Sequence, residues 1–286
     1  MSGPGSTFRP DEVGEWSVLK LDIVEKYGHA YTTTFNNRGA HLKKFYIDGF
    51  SGAGVHLVKK TREQIEGSPA RALRIEPRFD GFHFIDMNPA KTAHLEQLCT
   101  GHGNVDVHTG DANQHLKELL PTIKWGDYKR ALCLLDPYGL HLDWEVMEIA
   151  GKLGTIDMFL NFPIMDMNRN ALLWKPELAD SDDIARMTRF WGDESWKQAA
   201  YADSKQVDMF GLIEQEKQPN KAIAAAFRER LQKVAGFDVV PEPLPMINRK
   251  NAVVYYLFFA SKKPVAKSII DDIFKKARQG AYRKQL

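Results

Sequence analysis

The sequence predicts an α/β protein with a doubly wound, Rossmann-like and mostly parallel sheet. Short apolar runs alternate with helical segments about five times between residues 13 and 164, which is typical of a parallel sheet with helices on both faces. Four of these runs are followed by an acid, at Asp48, Asp86, Asp111 and Asp136. Because ligands of open parallel sheets bind beyond the carboxyl ends of the strands, the four acids predict a binding site there.

The composition is that of an ordinary globular chain. Of the 286 residues, 43% are hydrophobic, and the net charge of +2 carries no signature of a polyanion-binding protein. Two cysteines, Cys99 and Cys133, cannot build a disulfide framework and favour a reduced, cytoplasmic protein. No apolar run has the length of a membrane span, and the histidines show no spacing typical of a metal site.

The core is predicted to span residues 13–164, after a flexible lead at residues 1–12 that has no apolar signal segment. A first helix over residues 13–36 is expected because Trp16, Leu19, Ile23 and Tyr27 recur on one helical face. Residues 55–67 are expected to be irregular, and the helix after them to begin with Ser68 as its N-cap. Strands are predicted at residues 45–47, 82–85, 105–108, 131–135 and 158–160, with helices at 88–100, 113–120 and 144–153.

The alternation stops after residue 164. Residues 165–236 contain no strand-like run, so a helical insertion or cap is expected there. Phe237–Val240 and Val253–Ala260 follow one another without a helix between them, which predicts an antiparallel strand pair at the sheet edge. This pair and a helix over residues 264–278 are expected to complete the core within residues 237–286.

The loop after the first predicted strand is the strongest indication of ligand binding. In Asp48-Gly-Phe-Ser-Gly-Ala-Gly54, an acid ends the strand and glycines follow, which lets a ligand approach the backbone. A dinucleotide-binding loop opens a helix directly, but thirteen residues separate Gly54 from Ser68, and Asp86 lies 32 positions beyond Gly54. The spacing therefore disfavours a nicotinamide oxidoreductase, and the leading acid favours a cationic nucleoside such as S-adenosyl-L-methionine.

The acids after the next two strands have plausible tasks in such a site. Asp86 is placed to accept hydrogen bonds from the hydroxyls of a ribose, and Asp111 is placed to accept one from the amine of an adenine. Each acid alone is explained better by a turn or a helix cap, but their shared sheet edge favours a ligand. The predicted cofactor-binding residues are Asp48, Gly49, Phe50, Gly52, Gly54, Asp86, Met87, Asp111 and Ala112.

The order of these motifs resembles that of a class I S-adenosylmethionine-dependent methyltransferase and, more narrowly, the three-Cys-motif partner protein (TcmP) family. The resemblance covers most of residues 13–165. It implies S-adenosyl-L-methionine as cofactor and a three-Cys-motif protein as partner, with a radical-SAM protein as one candidate. The matching features are the helix with Trp16, Lys20 and Tyr27, the loop 48–54, and the segments 67–69, 84–86, 110–111 and 135–139.

Asp136-Pro137-Tyr138-Gly139 is the predicted catalytic segment. It resembles the Asp-Pro-Pro-Tyr motif of methyltransferases that act on amino groups of adenine or cytosine, with one proline missing, so that Tyr138 comes one residue early. The resemblance implies that Asp136 and the backbone after it accept hydrogen bonds from the target amine, while Tyr138 stacks on an extruded base. The alternative is a strand-end turn with a buried tyrosine.

Two functions stay open at this point. The first is methylation of an amine on a DNA or RNA base, with residues 165–236 selecting the substrate. The second is a non-catalytic cofactor-binding or docking subunit for the three-Cys-motif protein. The joint presence of the four strand-end acids favours cofactor binding in either case, and the sequence determines neither the methyl acceptor nor the oligomeric state.

Overall fold

The computed structural model describes residues 9–36, 41–207 and 213–280. The strands are β1 (Asp11–Val13), β2 (Lys43–Asp48), β3 (Val55–Val58), β4 (Gln64–Glu66), β5 (Gly81–Asp86), β6 (Val105–Thr109), β7 (Lys129–Leu135), β8 (Ile156–Phe162), β9 (Tyr201–Val207), β10 (Ile213–Lys217), β11 (Leu244–Ile247) and β12 (Val253–Ala260). The helices are α1 (Glu15–Asn36), α2 (Ser68–Leu73), α3 (Pro89–Leu98), α4 (Ala112–Leu119), α5 (Trp144–Leu153), α6 (Ile164–Asn170), α7 (Ser181–Trp191), α8 (Trp196–Ala200), α9 (Asn220–Lys233) and α10 (Pro264–Arg278).

A seven-stranded sheet organises the fold, in the order β11-β12-β8-β7-β2-β5-β6. The five strands from β8 to β6 run parallel, and β12 and then β11 extend one edge, each antiparallel to its neighbour. Strand β2 pairs with β5 on one side and β7 on the other, so the strand order reverses there, and this is the position at which open α/β sheets bind ligands. The predicted doubly wound α/β class is confirmed.

Helices cover both faces of the sheet. On one face, α4, α5, α7 and α9 pack over a core that contains Cys133, Phe162 and Phe258. On the other, α1, α2, α3 and α10 pack over a core that contains Leu134 and Phe259. Successive residues of β7 and β12 thus enter opposite cores, which explains why these strands are continuous apolar runs in the sequence.

The first correction to the sequence prediction concerns residues 11–13 and 55–67. Residues 11–13 form β1, which pairs in parallel with β3, whereas residues 11 and 12 were expected in a flexible lead and residue 13 in the first helix. The segment 55–67, expected to be irregular, forms β3 and β4, an antiparallel hairpin. Both errors have one cause, since these strands are only three or four residues long and lie outside the main sheet. The helix that follows begins at Ser68 itself and has Gly67 as its N-cap, so the serine is not the cap that the sequence predicted.

The second correction concerns the C-terminal half. Residues 165–236, predicted to contain helices only, also contain the antiparallel hairpin of β9 and β10. The edge strand is β11 rather than Phe237–Val240, which contributes a single bridge from Val239 to Ser261. Pro245 made the true strand look like a linker, but proline is compatible with an edge strand because one side of that strand has no partner.

Candidate cofactor and acceptor site

Two adjoining cavities open at the carboxyl ends of the parallel strands. The first cavity has a volume of about 550 Å³ and lies over β2, β5 and β6. The second cavity has a volume of about 650 Å³ and lies beside it, over β2, β7 and β8. Both cavities are lined by Phe50, Asp86, Lys91 and Tyr138. The first cavity also has Gly49, Met87, Asp111 and Ala112 in its lining, and the second has Gly52, Asp136 and Pro137.

Asp86 lies at the junction of the two cavities. Its Oδ2 accepts a hydrogen bond from the Gly52 amide at 3.0 Å, and its Oδ1 accepts one from the Asn88 amide at 2.8 Å. These bonds connect the glycine loop to the start of α3 and fix the carboxylate orientation. A carboxylate has about four lone-pair positions, so each oxygen can accept one more hydrogen bond from a ligand.

The glycines of the loop 49–54 have different roles. Gly49 lines the first cavity, and a Cβ there would meet the Leu116 and Leu135 side chains at 3.0 Å. Gly52 has a φ of +62° and lines the second cavity. Gly54 lies in the lining of neither cavity, and its carbonyl accepts a hydrogen bond from the Gly67 amide at 2.7 Å. Two of the three predicted glycines therefore face a cavity, and the third anchors the loop to α2.

Asp48 is buried beneath the same loop. Its Oδ1 accepts a hydrogen bond from the Phe50 amide at 3.2 Å, while its Oδ2 is buried without a hydrogen-bond partner within the described ranges. Burial raises the pKa of the Asp48 carboxyl to about 7, and the Ser68 hydroxyl and the Phe50 amide offset this effect only in part. The nearby Asp136 raises the pKa further and Lys20 lowers it. Asp48 is thus a carboxyl behind the site rather than in its lining.

Asp111 serves as a helix cap and also faces the first cavity. Its Oδ1 accepts a hydrogen bond from the Asn113 amide at 2.8 Å and so caps α4. The residue is exposed, and its Oδ2 has no hydrogen-bond partner within the described ranges. This oxygen can therefore contact a ligand in the first cavity. The cap and the ligand contact, which the sequence treated as alternatives, are compatible in this geometry.

Asp136 is held by two side chains. Lys20 of α1 forms an ion pair with its Oδ2, and the Asn161 amide at the end of β8 donates to its Oδ1 at 2.7 Å. Lys20 is buried, and its Nζ lies 5.8 Å from the ring centre of Tyr255. Lys20 had no predicted role. No local signal could have supplied one, because 116 positions separate it from Asp136.

Tyr138 forms the boundary between the two cavities and is 89% exposed. The buried tyrosine of the alternative interpretation is therefore wrong, although the segment does turn at the end of the strand. The next residue, Gly139, has a φ of +60°, and a Cβ there would lie 2.8 Å from the Asp166 carboxylate of α6. This glycine lets the turn pass close to α6, while Pro137 beneath the turn is buried.

The described part of the chain has neither a metal cluster nor a membrane helix. Within residues 9–36, 41–207 and 213–280, no three His, Cys, Asp or Glu side chains group so that they could hold a metal ion. No helix in those ranges is long and apolar enough to cross a bilayer. Two ion pairs lie at the site, Lys20 with Asp136 and, at the rim, Lys91 with Asp11 at 2.6 Å.

Comparison with known proteins identifies a fold. No family model matches the chain, and no curated protein sequence does. The crystal structure of LPL1258 from Legionella pneumophila, of family model DUF519, matches with a TM-score of 0.56 at 15% identity, covering 92% of this chain and 91% of that chain. The bifunctional kinase-methyltransferase WbdD matches with a TM-score of 0.31 at 12% identity, covering 86% of this chain and 62% of that chain, which is too low a score for an argument. The chain is an α/β protein with a Rossmann-like sheet, and its resemblance to the three-Cys-motif partner family rests on the motifs alone.

Proposed function

We propose that this protein is an S-adenosyl-L-methionine-dependent methyltransferase. The observation that carries the proposal is the shared wall of the two cavities. Residues predicted to bind a cofactor line the first cavity, the Asp136-Pro137-Tyr138 segment lines the second, and Asp86 and Tyr138 line both. A transfer reaction needs donor and acceptor to meet at such a boundary, and most of its acceleration comes from their relative position.

The residues of the first cavity fit the proposed cofactor. When bound, S-adenosyl-L-methionine supplies a methyl group on a positively charged sulfur. The free lone pairs of Asp86 suit ribose hydroxyls, and the second oxygen of Asp111 suits an adenine amine. At Gly52 a Cβ would meet only Asp11 Oδ2, at 3.7 Å, so the absence of a side chain there keeps the second cavity open to a ligand.

The second cavity fits an amine on a planar ring. Lys20 and Asn161 orient Asp136 and leave one lone-pair position on each of its oxygens, so the carboxylate can still accept from a substrate amine. The exposed Tyr138 ring offers a face on which a base can stack. We assign the three predicted catalytic residues these positioning tasks: Asp136 and the Pro137 backbone toward the amine, and Tyr138 toward the ring.

A basic surface beside the second cavity supports DNA or RNA as the substrate class. The tip of the β3–β4 hairpin carries Lys59 and Lys60, and the turn between β11 and β12 carries Arg249 and Lys250. These four side chains line one hollow, which also contains Val13 and Trp16 of the second cavity. Glu15 is the one acid in that lining, and it pairs with Arg249. Lysine and arginine at such a position suit the phosphates that flank a bound base.

The first test is calorimetric titration with S-adenosylmethionine and S-adenosylhomocysteine. We expect micromolar binding by the wild type, a loss of at least tenfold in Asp86→Ala, and no change in Asp127→Ala. Asp127 is a matched exposed acid that lies before β7, at the other end of the sheet. Absence of binding by folded wild-type protein would overturn the cofactor assignment.

The second test is transfer of labelled methyl groups to single-stranded DNA and RNA. We expect incorporation into adenine or cytosine, reduced when Lys59 and Lys60 are both changed to alanine. Cofactor binding without any incorporation would favour the alternative function, a cofactor-binding or docking subunit for a three-Cys-motif protein. One observation favours that alternative, namely that both oxygens of Asp136 already have protein donors. Direct titration with a purified three-Cys-motif protein tests it.

A further inference from the structure

A separate cavity lies at the amino-terminal end of the sheet, opposite the site described above. Its volume is about 330 Å³, within the range of small-molecule sites. Arg130 and Asp157, the second residues of β7 and β8, line it together with side chains of α1 and the start of α10. None of its lining residues belongs to either cavity at the carboxyl ends.

Two cations of this cavity, Arg130 and Lys263, lack an ion-pair partner among the described residues, although the buried Asp157 lines the same cavity. Arg130 is 5% exposed, and its one described hydrogen bond runs from Nη1 to the Lys129 carbonyl at 2.5 Å. Within the described ranges, neither Arg130 nor Lys263 forms an ion pair with a carboxylate. A guanidinium has five N–H donors, and a buried cation without a counter-charge is destabilising. Every Arg130 side-chain nitrogen either has a hydrogen-bond partner or is accessible to solvent. The N–H groups that have no partner are therefore accessible from the cavity.

Flat aromatic side chains stand beside these cations. The Arg130 guanidinium carbon lies 3.5 Å from the centre of the Trp125 ring, and the Lys263 Nζ lies 4.3 Å from it. Trp125 and Tyr128 are 59% and 60% exposed although they line a cavity, and Tyr31 is buried in its wall. Exposed aromatic rings next to cations suit a ligand that has both a ring and an anionic group.

Asp157 is the one acid in this lining. It accepts hydrogen bonds from the Tyr27 hydroxyl at 2.7 Å and the Ser261 hydroxyl at 2.5 Å, one on each oxygen. Burial raises the pKa of the Asp157 carboxyl, and the two hydroxyls offset this in part. Each Asp157 oxygen thus already accepts one hydrogen bond from within the protein, whereas neither Arg130 nor Lys263 forms an ion pair within the described ranges.

We infer that this cavity is a second ligand site, which takes a small molecule with a flat aromatic ring and a phosphate or carboxylate group. The anionic group would bind between Arg130 and Lys263, and the ring would pack on Trp125 and Tyr128. A mononucleotide and an aromatic acid share this chemistry. The inference does not depend on the proposed methyl transfer.

The experiment is titration of the full chain with four probes: adenosine 5′-monophosphate, benzoate, adenosine and inorganic phosphate. S-adenosylhomocysteine is kept saturating so that the cavities at the carboxyl ends are occupied. We expect one of the first two probes to bind at least tenfold tighter than the last two, because ring and anion are both needed. Tighter binding of the nucleotide identifies a phosphate ligand, and tighter binding of benzoate identifies a carboxylate ligand.

Variants locate the binding. Lys263→Met and Trp125→Ala are expected to weaken it at least fivefold, and Arg130→Met at least tenfold if that buried variant folds. Lys262→Met, which changes a neighbouring lysine outside the lining, is expected to leave it unchanged. Equal binding of all four probes, or equal binding by Lys263→Met, Trp125→Ala and wild type, would overturn the inference and leave a cation–π cluster that only stabilises the fold.

Discussion

Lys20 and Asp136 form an ion pair across 116 positions of the chain, from α1 to the end of β7. The Lys20 side chain is 7% exposed and that of Asp136 is 30% exposed. Because Asn161 holds the other oxygen of Asp136, the carboxylate has one orientation at the edge of the second cavity. The pair therefore joins the N-terminal helix to the proposed acceptor site, and stability and site geometry are expected to change together.

Lys20→Met is expected to lower the free energy of unfolding by about 1–3 kcal/mol, because it leaves a partly buried carboxylate without its main partner. Denaturant titration measures the change. A double-mutant cycle with Asp136→Asn then isolates the interaction energy of the pair from the separate effects of each substitution. Lys267→Met is the matched control, since it breaks an exposed pair with Asp271 that is expected to contribute less than about 0.5 kcal/mol. Equal effects of Lys20→Met and Lys267→Met would contradict a structural role for the buried pair.

Tyr138→Ala is expected to reduce methyl transfer at least tenfold while S-adenosylhomocysteine affinity changes by less than twofold. The reason is that the exposed ring is proposed to stack on the acceptor, whereas the main cofactor contacts come from Asp86 and the glycine loop. Tyr138→Phe keeps the ring and is expected to retain most of the activity. Tyr128→Ala is the control, because Tyr128 is also an exposed tyrosine but lies at the opposite end of the sheet. Full activity of Tyr138→Ala would exclude the stacking role.

The fold was predictable because β2, β5, β7 and β8 contain apolar runs that alternate with segments of helical periodicity. The misassigned strands, β1, β3, β4, β9 and β10, lie outside the main sheet. They are short or polar, so no buried face produces a pattern in the sequence. The edge strand β11 was missed for a different reason. Its Pro245 argues against a strand inside a sheet, but an edge strand tolerates proline.

The strand-end residues of the candidate site were predictable, but the contacts between residues that are distant in the sequence were not. Asp86, Asp111 and Asp136 could be placed because the carboxyl ends of parallel strands meet at one sheet edge. The contacts that orient them come from Lys20, Asn161 and Gly52, and these depend on how helix and loop pack in three dimensions. The burial of Asp48 likewise depends on the loop that folds over it, so its strand-end position alone did not distinguish it from a lining residue.

Asp48→Asn is expected to change how stability depends on pH. The pKa of this carboxyl in the folded state is about 7, above its unfolded value of about 4, so the folded state holds the proton more tightly. Between about pH 4 and pH 7 the folded protein retains this proton and the unfolded chain does not, so stability falls as pH rises through that window, by up to about 1.4 kcal/mol per unit. The variant should lack this decrease.

The measurement for Asp48 is urea denaturation of both proteins from pH 4.5 to pH 8. Asp48→Asn is expected to gain stability relative to wild type as pH rises, with the difference constant above about pH 7.5. Asp127→Asn, an exposed acid, serves as the control and should follow the wild-type curve. Parallel curves for Asp48→Asn and wild type would show that the buried carboxyl does not titrate in this range.

Gly67→Ala is expected to destabilise the protein by about 1–3 kcal/mol and to weaken S-adenosylmethionine binding at least fivefold. A Cβ at Gly67 would lie 2.9 Å from the carbonyl carbon of Gly54, and backbone atoms cannot rotate away as the end of a flexible side chain can. The clash would separate the two glycines, break their 2.7 Å hydrogen bond and displace the loop that carries Gly52 to Asp86. Gly103→Ala, where a Cβ meets nothing within 4 Å, is the matched control for thermal unfolding and calorimetry. If Gly67→Ala loses stability but keeps its affinity for S-adenosylmethionine, the position of the loop does not depend on this contact. Asp86 alone would then have to position the cofactor.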